Sequence, residues 1–342
     1  MSSYLVKKLD ILSFYDYLLP IFENLQVNLK KPKMSYIDVL NIPKGNAICY
    51  SGFREGQQPG GEVPTYAQIK EDLLILQDDW KYLRLYDCDQ HADTVLEVIE
   101  KEKLDFKVML GAYIVAEMNN HGCPWGGTSF SEVELIQNKA YNSDRIDQLI
   151  ERANTYPDII CSLSAGNEAC VDWTDHYVPV ESVIKYIERI KAQAKQPVTF
   201  CENYVPWLNK LKPLVDAVDF ISIHTYPVWE YKNIHEALEY TKQNYYAVAD
   251  MYPDTVVVIT EAGWATNSNG RGIDAHNVSE ELQKTYYNDL VDWCNEDDIL
   301  TFVFEAFDEP WKGSPEPNEP EKHWGLFKVD RTPKLVMREI KV

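Results

Sequence analysis

Eight short apolar runs recur along this chain, each followed by a stretch of helical character. The runs are Ala47–Tyr50, Tyr82–Tyr86, Lys107–Ala112, Ile159–Ser164, Val198–Glu202, Phe220–His224, Val256–Thr260 and Thr301–Glu305. A short run rich in Val and Ile reads as a parallel strand buried on both faces. Parallel neighbours need a crossover, normally a helix, and the intervening sequence supplies helices. Thr65 and Gln68 have capping-box spacing, after which Ile69, Leu73, Leu76 and Trp80 recur at helical intervals. Val183, Ile184, Ile187 and Ile190 form a second stripe, and Leu282, Tyr286, Leu290 and Trp293 a third. Eight such units predict an α/β fold, a (β/α)8 TIM barrel. The rival is a doubly wound open sheet, but no Gly-x-Gly-x-x-Gly follows the first run. There is no internal repeat and no low-complexity linker, so residues 46–342 are expected to form one catalytic barrel domain. In residues 1–45, Leu9, Ile11, Leu12, Tyr15, Leu18, Leu19, Ile21 and Phe22 predict a helical extension packed on the barrel and broken at Pro20.

Two of the runs end in glutamate. The fourth continues to Gly166-Asn167-Glu168, and the seventh to Thr260-Glu261-Ala262-Gly263-Trp264. An acid at the carboxyl end of a barrel strand points into the mouth, where active sites of this fold lie. Two such acids can act on one glycosidic bond as acid/base and nucleophile; taken singly, either reads equally well as a solvated loop glutamate. Other strand ends are also polar or aromatic. Arg84 and Tyr86 end the second, Glu202 the fifth, and His224, Tyr226 and Trp229 follow the sixth. Glu305, Asp308, Glu309, Trp311 and Lys312 follow the eighth. Long connections at Ile114–Asn142 and Ala265–Val278, and the segment Phe307–Trp324, are expected to build the rim.

Composition narrows the partners. There are 33 Lys and Arg against 54 Asp and Glu, a net charge of −21. That disfavours nucleic acid and anionic membranes, which are themselves negative, and suits a neutral substrate. No apolar run approaches the roughly 20 residues of a membrane-spanning helix. Seven cysteines are scattered without a Cys-x-x-Cys pair, so Cys49, Cys161 and Cys201 read as small buried hydrophobes. The seven histidines show no zinc pattern, and no strand-end lysine suggests a Schiff base. No metal and no cofactor is therefore expected. The N-terminus lacks the order of a signal peptide, which makes the chain as given cytoplasmic, or secreted or periplasmic if an export signal has been trimmed.

The motifs Tyr50-Ser51-Gly52, Arg84-Leu85-Tyr86, Gly166-Asn167-Glu168, Thr260-Glu261-Ala262-Gly263-Trp264, Phe307-Asp308-Glu309-Pro310-Trp311-Lys312 and Trp324-Gly325-Leu326-Phe327 together resemble glycoside hydrolase family 17. That family contains β-1,3-glucanases and related glucanosyltransferases, in the clan of retaining (β/α)8 glycosidases. The resemblance spans about Ala47 to Phe327 and implies Glu168 as acid/base and Glu261 as nucleophile. It also implies Asn167 as the hydrogen-bond partner of the sugar 2-hydroxyl, and Glu309 and Lys312 as subsite residues. Glu321 resembles a further subsite acid. Arg84 is expected to support Glu261, and Glu168 to be desolvated. Tyr50, Tyr226 and Trp311 are expected to line the substrate, Trp311 as a sugar platform, with Tyr113 and Trp125 as weaker platforms. Ala265-Thr266 stands where many members have Pro-Ser, and Glu305-Ala306-Phe307-Asp308-Glu309 is closer to microbial members. The implied activity is hydrolysis of a β-glucan polysaccharide or oligosaccharide by a monomer; the alternatives are β-1,3-glucanosyl transfer and non-catalytic glucan binding. The long loop after the third strand, with Gly122, Pro124, Trp125, Gly126 and Gly127, leans the expectation towards a partly blocked groove and short products.

Overall fold

In the computed structural model, which describes residues 34–124 and 129–338, eight parallel strands close on themselves in sequence order. They are β1 (Ala47–Cys49), β2 (Tyr82–Leu85), β3 (Lys107–Gly111), β4 (Ile160–Asn167), β5 (Val198–Asn203), β6 (Ile221–His224), β7 (Val257–Ala262) and β8 (Thr301–Val303). Closure through β1 and β8, with Ala47 opposite Phe302, leaves no unpaired edge. The strand cores match the apolar runs, but β4 extends three residues further than expected and β8 stops two short.

The helices are α1 (Tyr66–Leu76), α2 (Gln90–Glu102), α3 (Glu132–Thr155), α4 (Val180–Gln193), α5 (Ile234–Met251) and α6 (Glu280–Glu296), with two one-turn helices between β5 and β6. The capping box at Thr65 and Gln68 starts α1 as expected. Ile69, Leu73 and Leu76 of α1, Val183, Ile187 and Ile190 of α4, and Tyr286, Leu290 and Trp293 of α6 all face the core. Truncating one such fully buried side chain to Ala typically costs about 2–5 kcal/mol. The expected loop Ile114–Asn142 is shorter than the sequence suggested. Ser131 and Glu134 form a second capping box that starts α3 at Glu132, a signal hidden by the polar composition of that helix's first turns. Trp125, Gly126, Gly127 and the helical extension expected in residues 1–33 lie outside the described residues. Next to that segment, Ser35 caps a short helix, Tyr36–Leu40, whose ends Tyr36 and Leu40 are buried.

The chain's final described stretch ties the barrel together. Arg331 donates to both carboxylate oxygens of Asp72 on α1, at 2.7 and 2.6 Å, and to the Gly52 carbonyl at 2.9 Å. The Lys334 ammonium, 2% exposed, lies 2.7 Å from Asp308 and 2.7 Å from the Thr266 hydroxyl. A buried charge is tolerated only when paired and hydrogen-bonded, and each of these is. Among the described residues, no helix is long and apolar enough to cross a membrane.

Candidate active site

Register irregularities sit where the polar side chains leave the barrel. Between β4 and β5 the pairing shifts between Ser164 and Asn167, and between β6 and β7 it shifts just before His224 meets Glu261. Bulges of this kind re-aim side chains and are common beside active sites. Gly166 makes the first possible. Its φ is 127°, and a Cβ there would stand 2.8 Å from Ile114 and 2.9 Å from Phe200. Glu168 follows at φ 46°, in the left-handed region. At the other bulge, a Cβ on Gly263 would lie 2.0 Å from the Phe304 carbonyl oxygen, so only glycine allows β7 to pass β8 there.

Glu261 is 5% exposed and fully engaged. Arg84 donates to its Oε1 at 2.5 Å and the Tyr226 hydroxyl to its Oε2 at 2.5 Å. His224 Nδ1 stands 3.4 Å from the same Oε2. Burial alone would raise its proton affinity, but His224, Arg84 and the Tyr226 bond overcome that and hold Glu261 ionised, well below the usual carboxylate range. Arg84 also donates to Asn167 Oδ1 at 2.5 Å. Because guanidinium can only donate, the Asn167 atom it meets is the carbonyl oxygen, leaving the amide N–H₂ available for a ligand.

Glu168 stands across from Glu261. The coordinating atoms of Glu168, His224 and Glu261 all lie within 4.8 Å of one another. His224 bridges the two acids, its Nδ1 2.8 Å from Glu168 Oε1. Burial disfavours charge on His224, yet the Glu261 carboxylate and its other partners push it up to about 10. Glu168 is less desolvated than the sequence suggested, its side chain 31% exposed. Beside it, His176 Nε2 donates to the Asn167 carbonyl at 3.0 Å, and Tyr113 packs on the His176 ring at 5.0 Å.

These three residues form the one cation-ligand cluster among the described residues. Their donors do not suit a metal. A protonated His224 offers no lone pair at Nδ1, and Arg84 already occupies the other Glu261 oxygen as a cation.

The rim after β8 adds a second charged group. Lys312 lies 2.7 Å from Glu305, 2.5 Å from Glu309 and 4.5 Å over the Phe304 ring, and Phe304 packs edge-on against Tyr226 at 5.6 Å. Burial and Glu309 push Glu305 well above the ordinary range despite Lys312, while Lys312 keeps Glu309 low against the pull of burial. Trp311 donates its indole N–H to Glu309 at 3.0 Å and is 37% exposed, leaving ring surface free. Glu321 is pushed up to about 7 by burial, against Lys312, with the charges of Glu168 and Glu261 adding to the rise.

The structure thus gathers Arg84, Asn167, Glu168, Tyr226 and Glu261 into one hydrogen-bonded group, with Glu309, Trp311 and Lys312 on the adjoining rim. Tyr50 is placed differently. It is 1% exposed, and its hydroxyl bonds Asp72 at 3.0 Å, so it supports the rim from beneath. The sequence reading put His224 on the rim without a role. A lone histidine carries no spacing signal; only its register opposite Glu261 reveals it.

Residues 47–325 match the BtgE/BtgC glycoside hydrolase domain. The chain belongs to this glycoside hydrolase family. The chain is 23% identical over 298 residues to a glucan 1,3-beta-glucosidase of Arthroderma benhamiae, a match covering 83% of this chain and 89% of that protein. It is 26% identical over 273 residues to the "Probable glucan endo-1,3-beta-glucosidase btgC" of Aspergillus clavatus, covering 73% of this chain but 36% of that longer protein. Among solved structures, an endo-laminarinase from Formosa Hel1_33_131 superposes with a TM-score of 0.77 at 26% identity, covering 90% of this chain and 89% of that one. A β-1,3-glucanosyltransferase from Rhizomucor miehei shares the fold, with a TM-score of 0.64 at 20% identity over 85% of this chain and 95% of that one.

Proposed function

We propose that this BtgE/BtgC-family barrel is a retaining glycosidase of the family 17 type that cleaves β-1,3-glucan. The observation that carries the reading is the spacing of its two acids, whose nearest site atoms lie within 4.8 Å. Retaining enzymes hold their carboxyl groups about 5–5.5 Å apart, inverting ones about 6.5–9.5 Å, to admit a water. The asymmetric surroundings fit separate roles. Glu261, held ionised by Arg84, His224 and Tyr226, attacks the anomeric carbon as the glycosidic C–O bond breaks. Glu168, partly open to solvent, gives its proton to the departing oxygen. The glycosyl–Glu261 ester is then hydrolysed by a water whose proton passes to Glu168, restoring both groups. The Asn167 amide, locked by Arg84, offers its N–H₂ to the sugar 2-hydroxyl.

The names of the relatives, a glucan 1,3-beta-glucosidase and an endo-laminarinase, support β-1,3-glucan as the substrate class, and the deficit of positive charge suits a neutral polymer. Reducing-sugar release from laminarin by wild type and Glu261→Gln tests the activity. Wild type should release sugar, and the variant should lose at least about 10³-fold, the scale of removing a nucleophile. NMR of the first product should show the β-anomer; an α-anomer first would refute retention. Product analysis with laminari-oligosaccharides separates hydrolysis from transfer, because longer products than substrate appear only by transfer. The time course of laminarin digestion separates exo from endo cleavage. A single small product from the start supports the partly blocked groove, and an early ladder assigns endo action.

A further inference from the structure

The turn that carries Glu168 is held by a neighbouring strand. Glu168 donates its own N–H to the Cys201 carbonyl of β5 at 2.9 Å. The next residue of β5, Glu202, is fully buried and reaches across the bulge with its carboxylate. Its Oε2 accepts the N–H of Cys170, two residues past Glu168, at 2.8 Å, and its Oε1 accepts the N–H of Asn203 at 2.8 Å. The loop is gripped again where Val178 donates to the Ala169 carbonyl at 2.7 Å. A non-glycine residue in the left-handed region costs on the order of 1–3 kcal/mol and persists only where its surroundings over-determine it; here Glu168 is fastened at its own amide and again two residues on.

A carboxyl group offers one oxygen to each of two backbone donors, whereas Gln or Ser has a single acceptor oxygen, and Gln would turn its N–H₂ on the second donor. The titratable groups facing Glu202 are Glu168 and Cys170 from the β4 side and His224 from β6. Burial and then the Glu168 charge push Glu202 up to about 8, against the pull of its two backbone donors and of His224.

Resting on the glycosidase reading, we propose that Glu202 is a positioning residue for the acid/base. It fixes the left-handed turn from which Glu168 projects, through the two backbone N–H groups it accepts. Glu202 acts through geometry alone.

The test compares wild type with Glu202→Gln and Glu202→Asp on two substrates, laminarin-derived oligosaccharides and an aryl β-laminaribioside with an activated leaving group. Gln matches the length but replaces one acceptor oxygen with a donor; Asp keeps both acceptors but shortens the reach. Glu202→Gln should lose roughly 10–100-fold in kcat on the oligosaccharide and less than about threefold on the aryl substrate, since only the former needs proton donation. Glu202→Asp, whose shorter side chain cannot span both amides, should show the same split between the two substrates, which also covers the case in which the Gln variant does not fold. Equal losses on both substrates would reduce Glu202 to a structural prop and overturn the proposal. Wild-type protein that turns over neither substrate sinks the glycosidase reading, and this one with it; an active wild type with an unchanged substrate ratio in the variants overturns this one alone.

Discussion

Arg84 is the residue on which the site turns. Its guanidinium meets Glu261 and Asn167 with separate nitrogens, a forked geometry that lysine cannot reproduce. Arg84→Lys should keep the charge near Glu261 yet release the Asn167 amide, and kcat on β-glucan should fall on the order of 100-fold. Tyr226→Phe removes one charge-assisted bond, worth about 1.5–3 kcal/mol, and should cost about 10–100-fold. In Tyr226→Phe Glu261 loses a partner that lowers its proton affinity, so the acidic limb of the pH–rate profile should move to higher pH. An unmoved limb with lowered kcat would assign Tyr226 to shape alone. Much of this constellation was legible because strand-end Arg, Asn-Glu and Thr-Glu carry position in the sequence itself. His224 has no role in the sequence reading, and Tyr50, expected at the substrate, bonds Asp72, for a shared reason. Whether a polar side chain at a strand end faces the mouth or the layer beneath depends on register and bulges, and no local pattern encodes a register shift.

At the level of elements, the bulge that ends β4 shows how backbone conformation is spent on function. Gly166→Ala would force a side chain into a φ of 127° and against Ile114 and Phe200. The expected cost is at least about 2 kcal/mol, read as a fall in Tm, with loss of activity because Glu168 lies two residues away. Adding Ile114→Ala should recover part of the steric cost and none of the conformational cost, so the double variant should lie between the single Gly166→Ala and the sum of the separate effects. Strict additivity would show that Ile114 does not bear on Gly166. The sequence signalled this strand by its apolar run but stopped it at Ser164; of the three added residues, Ala165, Gly166 and Asn167, it is Asn167 that resumes the pairing, opposite Cys201, after the bulge. The start of α3 was missed for the opposite reason. Ser131 and Glu134 cap it clearly, but its exposed, polar first turns lack the apolar stripe that marks a helix packed along its whole length.

Across the whole molecule, the buried charges fix how stability depends on pH. His224 is raised in the fold from 6.5 to about 10, so its contribution is complete below about pH 6.5 and is lost as pH climbs towards 10. Glu202 is raised from 4.5 to about 8. The folded state therefore holds a proton that the unfolded chain releases between those values, and stability falls as pH rises through that window. Glu261 is depressed, so its contribution is present above about pH 4.5 and drains away as pH drops further. Tm should therefore peak near pH 4.5 and decline on both sides, more steeply above pH 6.5 where His224 adds to Glu202. His224→Gln should flatten the decline above pH 6.5; a wild-type Tm that stays constant from pH 6.5 to 9 would contradict the raised His224 and Glu202 together. With a net charge of −21, moderate salt should lift Tm by screening self-repulsion.

The ties made by Arg331 and Lys334 bear on the order of events at the ribosome. All eight strands and both acids precede Val329 in the chain, so every catalytic group has been synthesised before the two cations that anchor Asp72 and Asp308. Until those cations emerge, Asp72 on the first helix has Arg54 and Tyr50 but lacks Arg331, and Asp308 beside the rim lacks Lys334. A barrel without Arg331 and Lys334 thus carries two buried carboxylates short of their compensating charge. A chain stopped at Val329 should contain all eight strands yet show little turnover, and the chain carrying Lys334→Met should refold more slowly than wild type; full activity from the shortened chain would show that these ties are dispensable.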